Sequence, residues 1–115
     1  MSLPAEIPIL ADPGMRELVD GFVMTFESKS LQLERLLVHQ DYPEIKRLSH
    51  QIKGAGGSYG FTGLTAPAAQ VERLCDSVTD SDESQAAVAV EAAVTVLQEK
   101  LLHAAAAWNV SASSA

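Results

Sequence analysis

His50 is the residue around which chemistry can be organised. The stretch from His50 to Phe61 reads HQIKGAGGSYGF, with glycines at 54, 56, 57 and 60 directly after a strongly helical run. In a helix, successive residues advance by about 100°. Leu48, Ile52, Ala55 and Tyr59 then cluster on one side, and His50 points away from them together with Lys46, Arg47, Lys53, Gly54 and Gly57. A solvent-facing neutral imidazole is a good nucleophile near neutral pH. Lys53, one turn along, can pair with phosphoryl oxygens as a point charge. Three interior helical glycines cost about 3 kcal/mol relative to alanine. Packing accounts for Gly56, which lies nearer the apolar side. Gly54 and Gly57 face outward with His50, where a missing side chain helps only if something must come close. The constellation therefore points to phosphoryl transfer on an exposed histidine. Its cations form a basic patch that would steer toward an acidic partner pocket.

Competing chemistries fit less well. A metal site inside a helical bundle needs inward carboxylates and Glu-x-x-His on two helices, and neither His39 nor His103 has a glutamate three residues earlier. A phosphate-binding P-loop needs a preceding strand and a following G-K-[ST], and both are missing. His39 and His103 read as surface residues. Lys46 and Arg47 read equally as a solvated helix face or as partner-docking cations. The single cysteine, Cys75, excludes an internal disulfide and reads as a small buried hydrophobe.

The elements that must hold His50 outward are helices. Alternating strand patterns are absent, and apolar residues recur at helical spacing. Asp12-Pro13 opens a first helix, with Leu18, Val19, Phe22, Phe26, Leu33, Leu36 and Leu37 on its stripe, ending near His39-Gln40. Ile7 to Leu10 is apolar enough to pack on the body. Asp41 and Glu44 have capping-box spacing at the start of the second helix, which carries His50. The third begins at Thr62 or at Thr65 and runs to Val78; Pro67 fits the first turn only from the later start. Asp82 and Gln85 again have capping-box spacing before a fourth, alanine-rich helix with Val90, Val94, Leu97, Leu101, Ala105 and Trp108 on one stripe. Amphipathic helices with short connections bury their stripes together. The fold predicted is all-α: an antiparallel four-helix bundle with a short N-terminal extension or helix packing on it.

At 115 residues the chain suits one domain, with a core over about 10–109 and a flexible tail at 110–115. Apolar residues at 47% and charged residues at 20% describe an ordinary globular chain that can bury a core without cross-links. A net charge of −7 argues against wrapping nucleic acid. No apolar run approaches the roughly 20 residues of a membrane span. The opening MSLPAEIPIL has no basic stretch ahead of an apolar one, so no signal peptide is read and the cytoplasm is the expected location. A monomer is expected, since no long apolar stripe is left over once the core is assigned.

The order H-x-I-K-G-x-x-x-x-x-G, carried by His50, Ile52, Lys53, Gly54 and Gly60, resembles the signature of histidine-containing phosphotransfer (HPt) domains. LADPGMRELVDGFVMTF looks like that family's opening helix and HQDYPEIKRLS like its turn into the active helix, so the resemblance spans roughly Leu10 to Leu102. It implies a phosphorelay carrier that accepts a phosphoryl group on Nε2 of His50 from a receiver-domain aspartyl phosphate and passes it to another receiver aspartate. Lys53 would stabilise the phosphate, while Gly54 and Gly57 would give access. The expected partners are response-regulator receiver domains and a hybrid sensor histidine kinase. No cofactor of its own is implied: the magnesium sits on the receiver, and the chain lacks kinase activity. Many members carry a glutamine on the next helix that hydrogen-bonds near the histidine. Here Glu72 stands at that spacing, with Gln70 two residues earlier. The alternative reading is a helical adaptor that keeps the fold and docks a receiver or kinase without carrying phosphate.

Overall fold

The structure, a computed structural model, describes residues 13–80 and 83–113. Five α-helices follow in order: α1 Pro13–Val23, α2 Phe26–Val38, α3 Tyr42–Ser58, α4 Thr65–Asp80 and α5 Glu83–Ser113, with a 3₁₀ turn at Thr62–Leu64 ahead of α4. No strand occurs among the described residues. Helices α2 to α5 form the bundle. Each packs on its neighbours in the cyclic order α2, α3, α4, α5, so α3 and α5 stand diagonally opposite. Helix α5, with 31 residues and a length of about 46 Å at 1.5 Å per residue, sets the long dimension of 49 Å.

The expected first helix is two helices. At Thr25 the chain tightens: its N–H donates to Phe22 O at 3.0 Å and its hydroxyl to the same carbonyl at 2.6 Å. A threonine hydroxyl on a carbonyl of the preceding turn bends a helix. Lys29 Nζ then donates to Thr25 Oγ1 at 2.6 Å from the first turn of α2. The bend lets α1 fold over the bundle end, burying Val19 and Val23 and bringing Phe22 against Phe26, Tyr59 and Phe61. Trp108 completes this aromatic cluster from α5 through Phe61, and its Nε1–H donates to Asp20 Oδ1 at 2.5 Å, tying α1 to α5. Leu18, assigned to the buried stripe from its spacing, is instead 55% exposed, because the stripe of α1 turns at the bend.

Two helix ends close by the same device. After α2, Gln40 adopts φ 54°, its N–H donates to Leu37 O and that of Asp41 to Leu36 O. After α3, Gly60 adopts φ 85°, its N–H donates to Gly57 O and that of Phe61 to Gly56 O. Both are Schellman closures, with the left-handed residue one past the cap. Gly60 of the motif therefore ends the helix. Asp41 caps α3 as the spacing predicts, accepting from the Glu44 N–H at 3.3 Å, but the reciprocal half of the capping box is not made because the Glu44 carboxylate binds Arg47. Pro67 is third in α4, which starts at Thr65, so its missing N–H falls in the first turn where no intrahelical bond is lost.

One further expectation changes. The backbone at 110–113 belongs to α5 rather than to an irregular tail, since the alanine-rich run favours continuing the helix. Apolar side chains also remain outside the core. Val90, Val94, Leu97, Leu101 and Trp108 enter the core, yet Val88, Val96, Leu102 and Val110 remain exposed on the outer side of the same helix. They are interspersed there with exposed Thr95, Glu99 and His103, so no unbroken apolar stripe is left over. Ile7 to Leu10 and the caps proposed at Asp12 and Asp82 lie outside the described residues.

Candidate functional site

Helix α3 presents His50 as its periodicity demands. Ile45, Leu48, Ile52 and Gly56 are buried, whereas Lys46, Arg47, His50, Gly54 and Gly57 are exposed and Lys53 is half-buried. The His50 side chain is 69% exposed. A Cβ placed on Gly54 or on Gly57 would meet no atom within 4 Å, so both leave open space on the histidine side. Gly56 differs: a Cβ there would stand 3.3 Å from Leu64 Cβ and 3.3 Å from Phe61 O. The close approach it permits is that of the turn leading into α4, which anchors the end of the active helix.

Glu72 on α4 organises the site. Its Oε2 lies 3.1 Å from His50 Nδ1, and its Oε1 lies 2.7 Å from Lys53 Nζ. The carboxylate side chain is only 14% exposed. Burial pushes its pKa up, but the Lys53 ammonium and the His50 ring outweigh that and hold it below the usual carboxylate range. Glu72 is therefore ionised near neutral pH and can only accept hydrogen bonds. The 3.1 Å contact then requires the proton of the neutral ring to sit on Nδ1. The lone pair is left on Nε2, which makes no hydrogen bond among the described residues.

The remaining cations are not free. Lys46 Nζ donates to Asp76 Oδ1 at 2.6 Å, an exposed pair across to α4 that raises the lysine pKa. Arg47 binds Glu44 on its own helix at 2.7 Å, which lowers the glutamate pKa. The basic patch read from the sequence is thus neutralised in place by Glu44, Glu72 and Asp76. Gln70 is not brought to the histidine: it accepts from Arg73 on α4 itself. About 200° of helix rotation separates it from Glu72. Asp76 was not anticipated. The signal for it is the antiparallel register, in which four residues up α3 from Lys46 to His50 match four residues down α4 from Asp76 to Glu72.

A family model, that of the Hpt domain, matches residues 17–108. The chain belongs to the Hpt domain family. The match covers α2, α3 and α4 in full, most of α1 and of α5, and every residue of the site just described. Searches of curated proteins and of solved structures give no match. As an Hpt domain the chain belongs to two-component signalling, where such domains serve phosphorelay by histidine phosphotransfer. Hpt domains are phosphate carriers rather than kinases, and they interact with receiver domains and histidine kinases. No helix among the described residues is long and apolar enough to cross a membrane.

Proposed function

We propose that this Hpt domain carries the phosphoryl group on Nε2 of His50, taking it from a receiver aspartyl phosphate and passing it to the aspartate of another receiver, with a hybrid sensor histidine kinase as the source. The observation that carries this reading is the exposed ring whose Nδ1 proton is held by Glu72, leaving Nε2 without a hydrogen bond among the described residues. The Nε2 lone pair forms the P–N bond as the bond from phosphorus to the aspartate oxygen breaks, and the aspartate leaves as a carboxylate. The Nδ1 proton stays on the ring throughout, and the Glu72 charge offsets the positive charge the ring gains. Lys53, already 2.7 Å from Glu72, is placed to turn toward the phosphoryl oxygens. Gly54 and Gly57 leave the receiver room to reach the nitrogen in line with the forming bond. Lys46 and Arg47, on the same side of α3, are assigned to docking. The magnesium needed for transfer is assigned to the receiver, no cofactor to this chain, and the cytoplasm to the exchange.

The test is transfer from a phosphorylated receiver, with magnesium, to the intact chain and to His50→Gln. Acid-labile, base-stable label on the intact chain alone supports the carrier. Receiver binding without label on either would overturn it in favour of the adaptor.

A further inference from the structure

Once His50 carries a phosphoryl group on Nε2, the state of its other nitrogen decides what that group can do. With a proton on Nδ1 the ring is cationic, and rupture of the P–N bond releases a neutral imidazole. Without that proton the same rupture expels an imidazolide anion, a far poorer leaving group, and the phosphoramidate is inert. An unassisted imidazolium gives up its proton near neutral pH.

The site is built to hold that proton. Glu72 Oε2 lies 3.1 Å from Nδ1 and is the ring's single polar partner among the described residues. The carboxylate is largely buried while the ring is exposed, so water screens the anion little on the side where the two meet. Its other oxygen lies 2.7 Å from Lys53 Nζ. In the resting site the carboxylate is thus divided between a cation and a neutral ring. A phosphoryl group brings nearly two negative charges within reach of Lys53. As Lys53 turns to them, the carboxylate is left to the ring alone, at the moment the ring has become a cation. The other charges nearby are engaged: Lys46 with Asp76 and Arg47 with Glu44. On α2, the other bundle helix packed on α3, Lys29 is bound to Thr25 and Glu34 to Gln98, and neither these nor Glu27, Arg35 and His39 pair with the ring. The turn at Thr62–Leu64 holds no charge.

We infer, resting on the carrier reading above, that Glu72 keeps the Nδ1 proton on the phosphorylated ring and so keeps phospho-His50 a competent donor in solutions alkaline enough to silence an unassisted phosphoramidate. In the outgoing step the P–N bond breaks and its electron pair returns to Nε2. A carboxylate oxygen of the receiver aspartate bonds to phosphorus, and the proton stays on Nδ1. Water in place of the aspartate gives inorganic phosphate by the same cleavage, so spontaneous loss reports the same proton. A glutamine at position 72 still accepts from the Nδ1–H, but it brings no charge to offset the cation. Because the ring side of the pair is exposed, the pH at which donation fails moves by about one unit, a tenfold effect.

Potassium phosphoramidate loads histidines chemically, without a receiver. His39 and His103 are exposed, so a His39→Gln, His103→Gln background leaves His50 as the histidine to be loaded. The loaded chain and its Glu72→Gln counterpart are followed from about pH 6 to about pH 9, a range that spans the titration of an imidazole. Loss of phosphohistidine is timed with and without a magnesium-bound receiver, and protonation of Nδ1 is read by nitrogen NMR of the ring. The ratio of intact to variant rates is expected to rise about tenfold across the range, with Nδ1 staying protonated about one pH unit higher in the intact chain. A purely structural role for Glu72 would change the rates by one factor at every pH. A flat ratio, or Nδ1 titrating alike in both chains, overturns the inference, and label reaching the receiver then leaves the carrier reading standing. A shifted titration and a rising ratio in spontaneous loss, with no label on the receiver, upholds the hold of Glu72 on the proton and sinks the carrier reading instead.

Discussion

His50 Nδ1 lies 3.1 Å from Glu72 Oε2, so a carboxylate on α4 decides which nitrogen of a ring on α3 carries the proton. Glu72→Ala removes that acceptor and lets the ring populate the tautomer with Nε2 protonated. A hydrogen bond to a charged group is worth about 1.5–3 kcal/mol, and about 1.4 kcal/mol of it expressed in the barrier slows transfer tenfold. Phosphotransfer to Glu72→Ala should therefore be about tenfold slower than to the intact chain in single-turnover assays. Glu72→Gln, which still offers a carbonyl oxygen, should lose less. Equal rates for all three would refute control of the ring by Glu72.

The same carboxylate makes stability depend on pH. Its pKa in the folded chain is lowered from 4.5, so the unfolded chain binds the proton more readily. The resulting stabilisation is fully present above about pH 4.5 and is lost as pH falls through the folded-state value. Urea midpoints of the intact chain and of Glu72→Gln should differ at about pH 6 and converge toward about pH 3. A constant gap would show that the difference comes from packing instead.

The outward glycines should trade stability against transfer. Nothing lies within 4 Å of a Cβ at Gly54 or Gly57. Alanine at either should stabilise the chain by about 0.8–1 kcal/mol through helix propensity, raising the melting temperature by roughly 4–8 °C. Gly54→Ala should at the same time slow transfer, and Gly54→Leu more so. Gly56→Ala should gain nothing, since its Cβ would crowd Leu64 and Phe61 O at 3.3 Å. Thermal melts paired with transfer rates check all four.

Ser49 precedes the histidine and points the other way. It is fully buried, and its hydroxyl has no hydrogen-bond partner. An unsatisfied buried hydroxyl costs about 1–3 kcal/mol. Ser49→Ala should shift the denaturant midpoint upward by about 1 kcal/mol of stability and leave the transfer rate unchanged. A loss of stability would mean the hydroxyl is satisfied in solution.

What the sequence reveals here follows from how far each effect reaches along the chain. The outward placement of His50, Gly54 and Gly57 needs only the rotation per residue of one helix, and it is legible. So is the cap at Asp41, which acts over three residues. The bend at Thr25 rests on one hydroxyl choosing a carbonyl, with no proline or glycine to mark it. Gly60 is visible in the motif, but its part in closing α3 depends on the turn that follows. Glu72 is legible as a neighbour of the histidine, while its hold on both His50 and Lys53, the absence of Gln70 from the site and the presence of Asp76 depend on the register of α3 against α4. On α5 the alanine-rich composition blurs the boundary between the buried stripe and the side that carries Thr95, Glu99 and His103.

Lys46, Arg47 and Lys53 each have an anion before any receiver arrives. Docking at this face is therefore an exchange of counter-charges: a receiver carboxylate or the phosphoryl group displaces a resident glutamate or aspartate. Exposed pairs of this kind are worth little, so they trade readily. The number of ion pairs changes little on docking, and added salt weakens the reactants and the complex alike. Association should then be only mildly sensitive to ionic strength. A carrier that must be released after each transfer benefits from a surface whose charges are returned to their own partners when the receiver departs.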